Sequence, residues 1–191
     1  AFTTWRESKG VDTSGEQALV RSFGEYLRDL RRFVQRVRAF DREAPVFLFG
    51  HSVGGTIVAL ELAVSQPLVR GAMLSGAGLS LDAAPWISRQ VFLLLGRLAP
   101  RLGTLRLNAA DVSRDEAVVR LYDGDPLVYR GRMRAGFVAA MVRALQRVVR
   151  DMEQVRAPLL IMHGTEDALS KPEGSAELHR QQQTGCRRVG A

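Results

Sequence analysis

Cysteine is nearly absent. Cys186 stands alone among 191 residues, which excludes an internal disulfide and any cysteine-rich metal site. Lysine is almost as scarce: of the 27 cationic side chains only Lys9 and Lys171 are lysine, and the rest are arginine. Aromatics make up 7%. No apolar run approaches a membrane span, and Val91–Leu95 is far too short for one. Residues Ala1–Ser8 carry no apolar stretch followed by small residues, so no secretory signal is read and a cytoplasmic location is expected. The chain does not begin with Met, so preceding residues are expected to be missing.

What is present suits one globular domain. Hydrophobic residues are 46% and charged residues 25%, which excludes wholesale disorder. The net charge is +7. A nucleic-acid binder would use that charge, but the arginines are spread over helical faces and the tail, with no interleaved aromatics and no binding motif. They read as a solvated surface, and no nucleic-acid partner is expected. An acidic lipid interface is a second candidate partner.

Residues 1–20 read as irregular. From Phe23 the apolar residues Phe23, Leu27, Leu30, Phe33, Val34, Val37 and Phe40 recur at three and four, predicting an amphipathic helix of about five turns. Ser22 is the expected N-cap, with Glu25 completing a capping box. Val46-Phe47-Leu48-Phe49 is short and apolar on both faces, which predicts a central parallel strand. Thr56–Ser65 reads as a buried helix and Ala72-Met73-Leu74 as a second buried strand, together a βαβ unit. Residues 80–153 differ. They carry three helical patterns and no strand: about Pro85–Leu98, Ser113 (as N-cap) to Tyr122, and Arg132–Glu153. The sheet pattern returns at Pro158–Met162, and Pro172-Glu173 opens a last helix. The expected architecture is therefore α/β: a core from residues 1–79 and 154–191 with a short parallel sheet, and a helical cap inserted over 80–153.

Gly50-x-Ser52-x-Gly54 lies between a strand pattern and a helix pattern, the arrangement of a nucleophile elbow. A sharp strand-to-helix turn forces the serine into strained backbone angles. Small residues two before and two after let the chain pass itself without a Cβ clash. The hydroxyl then stands above the strand ends, and the helix N-terminus beneath it favours negative charge. No comparable pattern surrounds Cys186, which reads as an incidental surface thiol beside Arg187 and Arg188.

His51 and Gly55 around Ser52 belong to a wider set. With Ser113-Arg114-Asp115, Asp125-Pro126-Leu127-Val128 and the run Pro158–Asp167, they resemble the microbial monoacylglycerol lipase and lysophospholipase branch of the α/β-hydrolases, over about residues 16–178. The resemblance implies that Asp167, closing His163-Gly164-x-x-Asp167, is the acid of a catalytic triad. It implies that His51 is structural, that His163 supports the acid loop, and that the Val53 amide is an oxyanion donor. It also implies a cap whose inner face receives an acyl chain, for which Trp86, Phe92 and Leu93 are candidates, with core packing the alternative. No metal or organic cofactor is implied.

The chain departs from that family in three ways. The family's base histidine follows one further strand, and His179, twelve residues after Asp167, is the remaining candidate although it falls too early. No His-Gly loop precedes Ser52 to give a second oxyanion donor. Residues 1–15 and the tail from Gln181 match nothing in the family, so the chain is expected to be truncated at both ends. The expected function is a serine carboxylic-ester hydrolase acting on monoacylglycerol- or lysophospholipid-like esters through an acyl-enzyme on Ser52. The alternative is a catalytically impaired hydrolase-like domain serving as a binding module or without activity. Exposed edges on a short sheet would favour self-association.

Overall fold

Helix α1, Phe23–Phe40, starts where the sequence signals it. The Ser22 hydroxyl accepts the Gly24 amide at 3.1 Å, so the cap bonds Gly24 where the capping box anticipated Glu25. The chain is described by a computed structural model covering residues 20, 22–81 and 85–187. The irregular stretch expected over residues 1–20 lies outside the described residues except for Val20, as do the Cys186 side chain and Arg188.

The order continues with β1 (Phe47–His51), α2 (Val53–Ser65), β2 (Gly71–Ser75), α3 (Trp86–Leu98), α4 (Glu116–Gly124), α5 (Ala135–Asp151), β3 (Leu159–Met162) and α6 (Glu173–Arg187). Several of the expected boundaries move, and α2 begins at Val53, three residues before Thr56. Helix α4 takes Asp115 as its N-cap, accepting the Ala117 amide at 2.8 Å, while Ser113 caps the turn before it through the Asp115 amide. Helix α5 begins three residues later than Arg132 and ends in a 3-10 turn, Met152–Gln154.

The three strands form one parallel sheet in the order β1-β2-β3. Strand β1 was expected at the centre. Among the described residues it is an edge, and β2 is central. The register places Leu48, Ala72 and Leu159 on one face together with Gly50, Leu74 and Ile161. That face is covered. Leu48, Ala72 and Leu74 are buried in a core shared with Phe23 and Leu27 of α1, the apolar residues of α2, and Ala140, Ala144 and Val148 of α5. The opposite face carries Phe47, Phe49, Met73, Leu160 and Met162, and here Phe47 and Phe49 are 57% and 61% exposed. The apolar-on-both-sides pattern is real; only one side is covered by described residues.

Helix α2 is buried nearly all round and so carries almost no polar stripe. Its one buried charge, Glu61, is answered from α1. Arg31 Nε reaches both carboxylate oxygens at 2.8 and 3.0 Å, and Ser65 adds a third bond at 2.7 Å. The bond to Glu61 raises the Arg31 pKa above its ordinary value. In the helical block, α3 lies on α5 so closely that a Cβ on Gly96 would overlap the Ala139 methyl. Among the described residues no helix is long and apolar enough to cross a membrane.

Candidate active site

Ser52 sits between β1 and α2 with φ 52° and ψ −120°. An L-residue there costs about 1–3 kcal/mol, and such strain survives only where the surroundings enforce it. The enforcement is visible. The Ser52 amide donates to the Ser75 carbonyl at the end of β2 (3.0 Å), and its own carbonyl accepts the Gly55 and Thr56 amides at 2.9 and 3.2 Å. Buried Thr56 then bonds the Gly78 carbonyl through its hydroxyl at 2.6 Å. A Cβ on Gly50 would stand 2.5 Å from the Gly54 carbonyl oxygen, and one on Gly55 would overlap Ala77. A Cβ on Gly54 itself would meet nothing within 4 Å. The close approach thus needs glycine at 50 and 55, whereas the motif alone pointed to 50 and 54. With Gly55 and Thr56 already bonded to Ser52, Val53 and Gly54 hold the amides at the helix start that have no intrahelical acceptor.

Asp167 lies on the loop after β3. Its Oδ1 accepts the Leu169 and Ser170 amides at 2.9 and 2.8 Å. Its Oδ2 lies 3.4 Å from His163 Nε2. It also faces Gly76, where φ is 51° and an added Cβ would stand 3.2 Å from that oxygen. Ser52 and Asp167 line one cleft of about 470 Å³, closed by the segment 110–114 of the helical block and by the loop 164–170. Arg114 on one wall and Glu166 on the other form an ion pair across it. A larger hollow of about 670 Å³, lined by Tyr26, Tyr122, Tyr129 and Phe137 among others, contains none of the expected site residues.

A strained serine at a strand-to-helix turn, sharing a cleft with a carboxylate after the third parallel strand, has the geometry of a serine hydrolase. The family of serine aminopeptidases S33 matches residues 7–189. The chain belongs to this family of α/β-hydrolases. It is 31% identical over 163 residues to a monoglyceride lipase homolog of monkeypox virus, covering 85% of this chain and 59% of that protein. It is 32% identical over 164 residues to a monoacylglycerol lipase of Mycolicibacterium smegmatis, with the same two coverages. A crystal structure of Paleococcus ferrophilus monoacylglycerol lipase superposes with a TM-score of 0.74 at 26% identity, over 84% of this chain and 61% of that one. The chain therefore spans little more than half the length of these relatives.

Within this α/β-hydrolase the three histidines lie in different places. His51 lines the cleft and donates from Nδ1 to the Ser75 carbonyl at 2.9 Å. The His163 side chain is buried, with Nδ1 at 2.7 Å from Ser175 Oγ and Nε2 at 2.8 Å from the Ser170 carbonyl. His179 is exposed on α6 and is not among the cleft-lining residues. Helix α6 runs back along β3: Ser175 meets His163 past the strand's end, and Gln182 bonds Ala157 before its start. His179, four residues beyond Ser175, is thus roughly 6 Å further from the cleft side at 1.5 Å per residue.

The candidate acyl-groove residues also disperse. Trp86 is exposed, Phe92 and Leu93 are half-buried on the α5-facing side of α3 with Gly96, and none of the three lines either hollow. Sequence reasoning missed Gly76, Ser170 and Ser175. Gly76 carried a signal, since it ends a strand at the level of Ser52. The two serines carried none, because nothing local marks a residue whose hydroxyl or carbonyl bonds a histidine twelve or seven positions away.

Proposed function

We propose that the chain is a serine carboxylic-ester hydrolase acting on monoacyl esters of medium or long chain. Ser52 Oγ attacks the ester carbonyl and becomes acylated. A histidine takes its proton and returns it to the leaving alcohol, and Asp167 orients that imidazole and stabilises its charge. The Val53 amide, at the positive end of α2, binds the tetrahedral oxyanion. Water then releases the acid by the same steps in reverse. The observation that carries the reading is the presence of strained Ser52 and Asp167 in one cleft. The relatives named as monoglyceride and monoacylglycerol lipases support an acyl-ester substrate. His179 is the candidate base, and it would serve only if α6 turned toward Ser52.

Hydrolysis of a p-nitrophenyl acyl ester should be detectable, vanish in Ser52→Ala, and fall in His179→Ala if that residue is the base. A second reading, a hydrolase-like binding module without turnover, is favoured by one observation. Among the described residues His51 is the only histidine lining the cleft, and its Nδ1 is already engaged. A fluorophosphonate probe separates the two. Labelling at Ser52 needs an activated serine, so an unlabelled, folded protein supports the binding module.

The substrate class brings a lipid interface with it. Trp86, Ile87, Val91, Leu94 and Leu98 form an outward apolar stripe on α3, with Ile87 and Leu98 68% and 71% exposed. Such a stripe on an arginine-rich chain suits an anionic lipid surface. Co-sedimentation with anionic vesicles should be weakened by Leu94→Asp. Self-association through the open edge of β1, beside exposed Phe47 and Phe49, is the competing use of apolar surface and would appear as a dimer in sedimentation velocity.

A further inference from the structure

The larger hollow, of about 670 Å³, takes no part in the proposed reaction. Its floor is Tyr26 of α1 and Phe137 of α5. Both pack on buried Phe23, Tyr26 edge-on with ring centroids 5.3 Å apart and Phe137 at 6.4 Å. Its roof is the segment that carries Arg106, Leu107, Tyr122 and Val128. No residue from 105 to 132 is buried. That segment is tied at its ends, where the Thr104 amide bonds the Met133 carbonyl at 2.8 Å and the Met133 amide bonds the Leu105 carbonyl at 2.6 Å. A firm aromatic floor under a roof of low local stability lets a ligand enter without opening the core. The hollow and the Ser52 cleft share no lining residue. They meet at the short turn Ala109–Asp111, where Ala109 lines the hollow and Ala110 and Asp111 line the cleft.

The two hollows also differ in charge. Asp111, Glu166 and Asp167 line the cleft against one cation, Arg114, which Glu166 already holds. Arg106 and Arg130 line the larger hollow against one carboxylate, Asp123, which Arg130 already holds at 3.5 Å. The cleft is left acidic. The hollow keeps the Arg106 guanidinium, which has no ion-pair partner among the described residues. We propose that the larger hollow is a separate binding site for a medium- or long-chain carboxylate, with the chain on Tyr26, Phe137 and Val128 and the carboxylate on Arg106. The volume lies in the range of small-molecule sites. A guanidinium fork matches a carboxylate with two parallel hydrogen bonds. Ester hydrolysis turns an uncharged ester into an acid that is ionised at neutral pH. The carboxylates of the cleft disfavour that anion, and the neighbouring hollow suits both of its ends. That the bound acid is the reaction's own product rests on the ester-hydrolase reading; the site itself does not.

Calorimetric titration of the full chain at pH 7 with decanoate and with decan-1-ol tests the site. Decanoate should bind at one site, and more tightly than the alcohol. Arg106→Ala should weaken decanoate roughly tenfold, the loss of a charge-assisted contact, and leave decan-1-ol unchanged. Arg106→Lys should recover most of the decanoate affinity. Val128→Trp, which fills the hollow from its roof, should remove both ligands. A chain whose Ser52 has been converted to a decyl phosphonate by a fluorophosphonate probe should still bind decanoate. No decanoate binding in the parent chain would overturn the proposal, as would binding that survives Val128→Trp. An equal loss of acid and alcohol in Arg106→Ala, or no loss of either, would mean that Arg106 does not hold the carboxylate. Loss of decanoate binding on the phosphonylated chain would place the ligand in the path of the reacting acyl group and would also overturn it. If the probe leaves Ser52 unlabelled, the hydrolase reading fails, and the Arg106 and Val128 variants decide the site.

Discussion

Ser52 is held by its backbone, Asp167 through its own carboxylate. The turn at Ser52 is fixed by amides and carbonyls of residues 50–56, by the end of β2, and by two glycines with no room for a methyl group. Every partner but Ser75, Ala77 and Gly78 lies within a few positions in sequence. The Asp167 loop is tied instead by side chains: the Asp167 carboxylate takes the Leu169 and Ser170 amides, and His163 bonds the Ser170 carbonyl and, in the next helix, Ser175. A backbone device is stiff and fails all at once; a hydrogen-bonded side-chain device tolerates change in shape while losing alignment. Variants at the first region should therefore cost folding, and variants at the second should cost rate.

The largest effect is expected from Gly50→Ala. Its Cβ would stand 2.5 Å from a backbone oxygen that cannot move without unwinding α2. We expect a loss of about 3 kcal/mol or more, read as a collapse of the urea midpoint or as insoluble expression. Next is Arg31→Ala, which leaves the buried Glu61 carboxylate with Ser65 as its remaining side-chain partner. A fully buried pair would cost more. Because Arg31 is half-exposed, about 2 kcal/mol is the expected loss by denaturant titration.

Gly54→Ala sharpens the comparison from inside the motif. A methyl there meets nothing, and alanine favours helix, so stability should hold or rise by up to about 1 kcal/mol. A destabilisation as large as that of Gly50→Ala would mean that the turn is built differently. The smallest effect concerns Asp151 at the end of α5, held below the usual carboxylate range first by its bond to Arg150 and then by Arg147. A lowered folded-state value gives stability that is present above the unfolded value, near 4, and is lost as pH falls through the folded one. Asp151→Asn should remove a few tenths of a kcal/mol at pH 7 and change nothing in strong acid, so the acid loss is flattened by that amount.

The local, backbone-driven region is also the one that the sequence discloses. The elbow is readable because strand, turn and helix are contiguous and each needs particular residue types. Helix α1 is readable through its spacing and Ser22. Asp167 is placed by the His-Gly-x-x-Asp pattern and held by amides two and three residues on, but no local rule links Ser175 of α6 to His163. The position of β1 in the sheet was misjudged for a related reason. Apolar residues on both faces of a strand disclose that both can be buried, not which neighbours are present to bury them. Gly54 and Gly55 look alike in sequence; Ala77, twenty-two residues further on, is what makes Gly55 indispensable.

The central claim is that Ser52 and Asp167 work as one site. The most direct test is the rate at which a fluorophosphonate probe labels Ser52, identified by mass spectrometry, in the parent chain and in Asp167→Asn. The account predicts labelling of Ser52 in the parent, and a rate slower by roughly three orders of magnitude in Asp167→Asn with thermal stability nearly unchanged. A parent chain that stays unlabelled, or an Asp167→Asn chain labelled at the parent rate, would contradict it.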